Sequence, residues 1–264
     1  MSQEIHRAGD PAEALRRLLT VSVVIPVLNE ASSLRRQVVS LRAFLDEHIA
    51  ADAGYDCRIL VADNGSTDGT LDLAQALSQQ LDRVGYIRLE QRGRGRALRR
   101  AWLAGETDLV AYMDVDLSTN LRALRPLLDS LRHGYEVATG SRLMPASRIR
   151  RSLKREVLSR SYNTLIRLLF WHHFSDAQCG FKALTRRAVH DLVPLVEDRG
   201  WFFDTELLLL AEHLGYPIAE VPVEWVEDLD TRVRIVRTAV DDIRGLLRMR
   251  RKLWTLPRHL SVTS

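Results

Sequence analysis

Cysteine is scarce in this chain. Only Cys57 and Cys179 occur in 264 residues, too few for a disulfide framework or a zinc spacing, and a reduced, cytosolic setting fits that count. Long apolar runs are missing too. No stretch reaches the roughly 18 uncharged apolar residues of a membrane-spanning helix, and the longest run, 18–28, reads as a buried strand. Residues 1–10 are polar and lack the apolar core of a signal peptide. The eight histidines form no metal spacing, and His172-His173 suits packing or an interface better than ligation. There is no internal repeat. Aromatic residues make up 6% of the chain and do not recur beside basic ones as a base-stacking platform. A nucleic-acid-binding module therefore has no motif to stand on.

What is present is an ordinary globular composition, 46% hydrophobic and 27% charged. The formal net charge of +4 is unevenly spread: 142–167 carries +7 and 231–264 carries +7, so the remainder sums to −10. Two basic segments on an acidic body suit anionic partners such as phosphorylated ligands or an anionic membrane surface. Solvated helix faces are the alternative for either run.

The first half alternates apolar β-branched runs with helical spacing. Strands are expected at 21–27, 56–62, 84–89, 109–113 and 135–140, and helices at 32–48, 71–81, 95–104 and 121–131. That alternation predicts an α/β fold with a mostly parallel central sheet covered by helices on both faces. The second half breaks the rhythm. Helices are expected at 152–174, 204–214 and 233–253, and a strand at 218–225. The organisation is a leader (1–20), one catalytic domain (21–228, with a first half 21–141 and a second half 142–228) and a basic amphipathic C-terminal helix and tail (229–264).

Chemistry-bearing residues gather at predicted strand ends. Asp114-Val115-Asp116 ends the fourth strand. Side chains two apart in a strand share a face, so both carboxylates can meet one hard divalent cation; a solvated strand end is the alternative. Asp63-Asn64-Gly65-Ser66 ends the second strand and opens a helix, whose first amides favour phosphate oxygens. Pro26, Asn29 and Glu30 lie on the same predicted edge. Gly93-Arg94-Gly95-Arg96 lacks the third glycine of a dinucleotide fingerprint, and reads as a basic turn, solvated by default or near bound phosphates.

In order, Val23-Val24-Ile25-Pro26-Val27-Leu28-Asn29-Glu30, Val61-Ala62-Asp63-Asn64-Gly65-Ser66-Thr67-Asp68-Gly69-Thr70 and Met113-Asp114-Val115-Asp116 resemble family 2 glycosyltransferases of the GT-A fold. Gly140-Ser141-Arg142, Lys154-Arg155-Glu156, Asp176-Ala177-Gln178-Cys179-Gly180-Phe181-Lys182, Trp201-Phe202-Phe203-Asp204-Thr205-Glu206-Leu207 and Val221-Pro222-Val223-Glu224-Trp225 narrow the likeness. They resemble the dolichyl- or polyprenyl-phosphate sugar synthase branch, close to dolichyl-phosphate glucosyltransferases and mannose synthases.

That resemblance implies an inverting transfer of a hexose from a nucleotide sugar, UDP-glucose ahead of GDP-mannose, to a polyprenyl or dolichyl phosphate. By position, Pro26, Asn29, Glu30, Asp63 and Asn64 line the nucleotide site. Asp114 contacts the nucleotide sugar, and Asp116, with Asp114, holds Mg2+ or Mn2+. Arg142, Lys154 and Arg155 grip the acceptor phosphate, Asp176 orients acceptor or sugar, and Asp204 and Glu206 are candidate sugar ligands. Asn64 replaces a second Asp, and Ser118 stands where mannose synthases carry a Gln. The acceptor's bilayer tail implies a protein peripheral on the cytoplasmic membrane face through 152–174 and 233–253. A separate membrane anchor or flippase and a homo-oligomer stay open. The alternative, a soluble glycan or small hydroxyl acceptor, requires a general base near pH 7, for which Asp176, Asp204 and Glu206 are the candidates.

Overall fold

The structure, a computed structural model, describes residues 18–50, 54–226 and 235–257. The expected leader lies almost wholly outside the described residues, as does the junction 227–234.

Nine strands are described: β1 (Leu19–Val27), β2 (Tyr55–Asp63), β3 (Val84–Arg88), β4 (Leu109–Met113), β5 (Val137–Ser141), β6 (Arg148–Arg150), β7 (Phe181–Thr185), β8 (Ile218–Pro222) and β9 (Glu224–Val226). Seven form one sheet in the order β3-β2-β1-β4-β7-β5-β8, and β6 pairs with β9 beside it. The helices are α1 (Leu34–Phe44), α2 (Thr70–Gln80), α3 (Arg94–Ala104), α4 (Leu124–Arg132), α5 (Leu153–Phe170), α6 (Arg186–Leu192), α7 (Phe203–His213) and α8 (Ile235–Thr255).

The α/β alternation of the first half behaves as expected. β3, β2, β1 and β4 run parallel, and their β-branched, fully buried residues, such as Val23, Val24, Ile25 and Val61, feed cores on both faces. One core takes Leu34, Val38, Leu41, Leu77, Leu124 and Leu128 from α1, α2 and α4. The other takes Leu98 and Trp102 from α3, Leu207 and Leu210 from α7, and Leu246 and Met249 from α8.

The second half departs from the expected elements in three places. The stretch after Asp176, given no element from the sequence, carries β7, which inserts antiparallel between β4 and β5. The 152–174 helix stops at Phe170, because Trp171 takes a left-handed conformation (φ 56) that caps it. His172 and Phe174 then turn inward and stack, with centroids 3.9 Å apart. The 218–225 strand divides at Val223. Its second part, β9, leaves the main sheet to pair with β6. A smaller departure lies at 32–48, where α1 gives way to a π-helical turn, Leu45–Ala50.

The antiparallel insertion has a geometric consequence. Parallel strands present their carboxyl ends to one edge of the sheet. An antiparallel β7 presents its beginning to that same edge, since Phe181 pairs with Met113 at the end of β4. The segments after β1, β2, β3, β4 and β5, and the loop before β7, therefore converge on one rim.

Candidate active site

On the β1–β2 side of the rim, two loops are stitched by small polar groups. Asn29, in the left-handed conformation that Asn tolerates (φ 58), donates its N–H to Ser66 Oγ at 2.9 Å, and its Oδ1 accepts the Thr67 N–H at 2.8 Å. Glu30 N–H donates to Thr70 Oγ1 at 2.8 Å, and Thr70 donates to Asp68 Oδ1 at 2.5 Å. Asp63, at the end of β2, is fully buried. Its Oδ1 accepts the Ser66 N–H at 3.2 Å, while Oδ2, 3.9 Å from Arg88, accepts no hydrogen bond among the described residues. Asn64 Oδ1 accepts the Gly93 N–H at 2.7 Å and ties this loop to the start of α3. Pro26 is half-buried on β1 beside Ala62 of β2.

At the centre, β4 ends at Met113, and Asp114-Val115-Asp116-Leu117 is a tight turn closed by Leu117 N–H to Asp114 C=O at 3.2 Å. Leu117 is left-handed (φ 50). The Asp pair is therefore presented by a turn, and strand alternation, the reason expected from sequence, does not orient it. Asp116 is exposed, and its Oδ1 accepts the Ser118 N–H at 3.0 Å. Arg94, the first residue of α3, donates to Asp114 Oδ1 through Nε (3.1 Å) and Nη2 (2.8 Å) and to Asp204 Oδ2 through Nη1 (2.6 Å). Its guanidinium lies 4.9 Å from the ring centroids of both Tyr112 and Trp201. The solvated-turn default for this segment is thus wrong: Arg94 is buried in a charge network. The flanking glycines permit it. A Cβ at Gly93 would meet Arg199 O at 2.5 Å, and one at Gly95 would meet the Phe203 side chain at 2.7 Å.

Beneath the rim, Asp204 is also bonded by the Tyr112 hydroxyl and lies 3.5 Å from Lys182 Nζ. Burial opposes its ionisation, yet Lys182 and Arg94 outweigh that and lower its pKa. Lys182, fully buried on β7, donates to Cys179 O at 2.7 Å.

On the β5 side, Arg142 forks onto fully buried Asp176, Nε to Oδ2 at 2.7 Å and Nη2 to Oδ1 at 2.9 Å, and its backbone N–H also reaches Oδ2 at 3.0 Å. Burial alone would raise the Asp176 pKa; the Arg142 charge and hydrogen bonds pull it down to about 2. The Trp225 ring lies 5.8 Å from the guanidinium. Lys154 and Arg155 start α5, and their side chains lie outside the described ones.

Glu206 requires correction. It sits two positions from Asp204 on α7, where side chains do not share a face. Fully buried, it accepts N–H bonds from Glu197 and Asp198, both at 3.0 Å, and ion pairs from Arg248 (2.7 Å) and Lys252 (3.3 Å) of α8. It anchors α8 and has no lone pair to spare for a sugar.

The residues suit a small hard cation. Asp114 and Asp116 offer oxygen ligands at an open edge. No group of three or more His, Cys, Asp or Glu fit to hold a metal exists among the described residues. Substrate phosphate and water would then complete the shell, the usual habit of Mg2+.

The sheet order and the rim define the GT-A class. Glucosyl-3-phosphoglycerate synthase from Mycobacterium tuberculosis, solved in complex with uridine diphosphate, superposes with a TM-score of 0.67 over 93% of this chain and 86% of that chain, at 23% identity. The same enzyme with Mn2+, uridine diphosphate and glucosyl-3-phosphoglycerate gives 0.66 over 94% and 86%, at 21% identity. The family described as Glycosyl transferase family 2 matches residues 22–193, and the chain belongs to it. Among relatives, Glycosyltransferase AglD of Haloferax volcanii is 40% identical over 250 residues, 94% of this chain but 40% of AglD. Dolichyl-phosphate beta-glucosyltransferases of Drosophila melanogaster and Mus musculus are 30% and 33% identical over 79% and 78% of this chain. The chain spans 68% and 67% of their lengths.

Proposed function

We propose that this chain transfers glucose from UDP-glucose, with inversion, to a dolichyl or other polyprenyl phosphate at the cytoplasmic membrane face. One observation carries the acceptor assignment. Each of the three carboxylates named above as candidate general bases for a hydroxyl acceptor is already engaged. Asp176 is held by Arg142, Asp204 by Arg94, Lys182 and Tyr112, and Glu206 by Arg248 and Lys252. A base must be free to take a proton near pH 7. A phosphate monoester, with a second pKa of about 6, arrives already anionic and needs none. The names of the dolichyl-phosphate beta-glucosyltransferase relatives support the same reading.

The donor side then has a simple task. Asp63 Oδ2 can accept a base N–H, Asn29 and Glu30 shape the loop that receives the nucleotide, and Asp114 meets the ribose or sugar. Asp114 and Asp116 would hold Mg2+ or Mn2+, which as a Lewis acid neutralises the charge developing on the leaving diphosphate. Arg142, pinned in one rotamer by Asp176, aligns the acceptor phosphate without searching for its conformation. Asp176 is thus a positioning residue in this scheme, as is Asp204.

The membrane assignment rests on an apolar face. Leu153, Val157, Leu168 and Trp171 project from α5 and its cap at 63–86% exposure, and Ile243, Leu247 and Trp254 from the neighbouring α8 at 52–91%. Arg160, Arg244, Arg250 and Arg251 are exposed among them, the pattern of an interfacial surface. No helix among the described residues is long and apolar enough to cross a membrane.

The test uses labelled UDP-glucose and GDP-mannose with Mg2+ or Mn2+, and dolichyl phosphate, phosphoglycerate and saccharides as acceptors. Label from UDP-glucose should enter the organic phase with dolichyl phosphate. Label that stays aqueous and moves to a saccharide or phosphoglycerate sinks the lipid acceptor.

A further inference from the structure

We propose that Arg94 is the positioning residue that sets the Asp114 carboxylate against the donor, with Gly180 leaving the space in which the two meet. The proposal rests on the donor reading above and adds two residues to it. Asp114 and Arg94 form a close-packed pair. Arg94 places two N–H groups on Oδ1, at 3.1 and 2.8 Å. Gly180 packs against both members of that pair: a Cβ there would lie 1.9 Å from Asp114 Oδ2 and 3.0 Å from Arg94 Nη2. Only a residue without a side chain fits.

Arg94 reaches further inward than Asp114 alone requires. Its Nη1 binds Asp204, whose side chain is 3% exposed, while Asp114 is 40% exposed at the rim. The guanidinium is therefore a rigid strut between the core and the site edge. Asp204, Tyr112 and Trp201 fix its inner end and its faces, so its Nε–Nη2 edge has one direction left in which to point. A lysine keeps the charge but cannot fork across two carboxylates.

The experiment measures uridine diphosphate binding with Mn2+ by calorimetry, alongside donor and acceptor KM. Arg94→Lys should weaken uridine diphosphate binding about tenfold or more, the usual cost of losing a partner that orients a ligating group. Donor KM should rise with it while acceptor KM holds. In an Asp114→Asn background the same change should cost less than about twofold, because Arg94 acts through Asp114. Equal losses in both backgrounds, or no loss in either, overturn the proposal. Should Arg94→Lys fail to fold, Gly180→Ala decides. A folded Gly180→Ala with unaltered binding overturns it, and a tenfold loss carries it. Wild-type protein that binds uridine diphosphate with Mn2+ but transfers nothing to dolichyl phosphate overturns the acceptor assignment alone.

Discussion

The two sides of the rim hold their residues by different means. Between β1 and β2, neutral contacts of Asn29, Ser66, Thr67 and Thr70 with backbone amides shape the loops. Around β7, buried charge pairs do so: Arg142 with Asp176 and Arg94 with Asp204. A neutral hydrogen bond contributes about 1 kcal/mol, and several share the task, so losing one should be tolerated. A buried pair that loses one partner strands a desolvated charge, at a cost of about 3–5 kcal/mol. The β1–β2 loops are thus adjustable, whereas the β7 side, which fixes both Arg94 and Arg142, is rigid and intolerant of change.

The sharpest way to break this comparison is Asp176→Ala. It should destabilise the fold by about 3–5 kcal/mol in urea titration and abolish transfer, since Arg142 loses its fork. Loss of less than about 1 kcal/mol, the value of a neutral bond, would erase the distinction between the two sides. Asp116→Asn comes next. It should cut Mn2+-dependent turnover about a hundredfold or more while the urea midpoint stays put, because Asp116 is exposed at the rim.

Acid sharpens the contrast further. The Asp176 pKa lies at about 2 in the folded protein, below its ordinary 3.8. The stability this contributes, about 2 kcal/mol, is fully present above the ordinary value and is lost as pH falls through the folded one. The gap between wild type and Asp176→Asn in urea midpoint should therefore narrow from pH 4 to pH 2. A constant gap would mean that Asp176 does not titrate with the pair. The smallest effect is expected of Thr70→Val, which removes the acceptor for the Glu30 N–H. It should cost about 1 kcal/mol and raise donor KM a few-fold, with acceptor KM unchanged in steady-state assays.

Much of this was legible beforehand where the signal is local. β-branched runs alternating with helical spacing specify a parallel half-sheet, and polar residues at the ends of those runs fall on its rim whatever the rest of the chain does. Asp63, Asn29 and Asp114 were visible for that reason. Arg94 was misread as a solvated turn because its partner Asp204 lies 110 residues away. Glu206 was misread because one motif holds it beside Asp204, whereas helix geometry turns the two to different neighbours. The one available signal for Arg94 was its pair of flanking glycines, which mark close backbone approach as readily as a turn.

The sequence by itself determined the parallel half of the sheet, the acidic pair at the end of β4 and the family. These depend on periodicity and on residue types at element ends, which are properties of neighbours along the chain. The tertiary structure decided the direction of β7, the burial of Arg94 and the engagement of all three candidate bases. Strand direction and ion pairing depend on which distant segments meet, and that follows only once the whole core has closed.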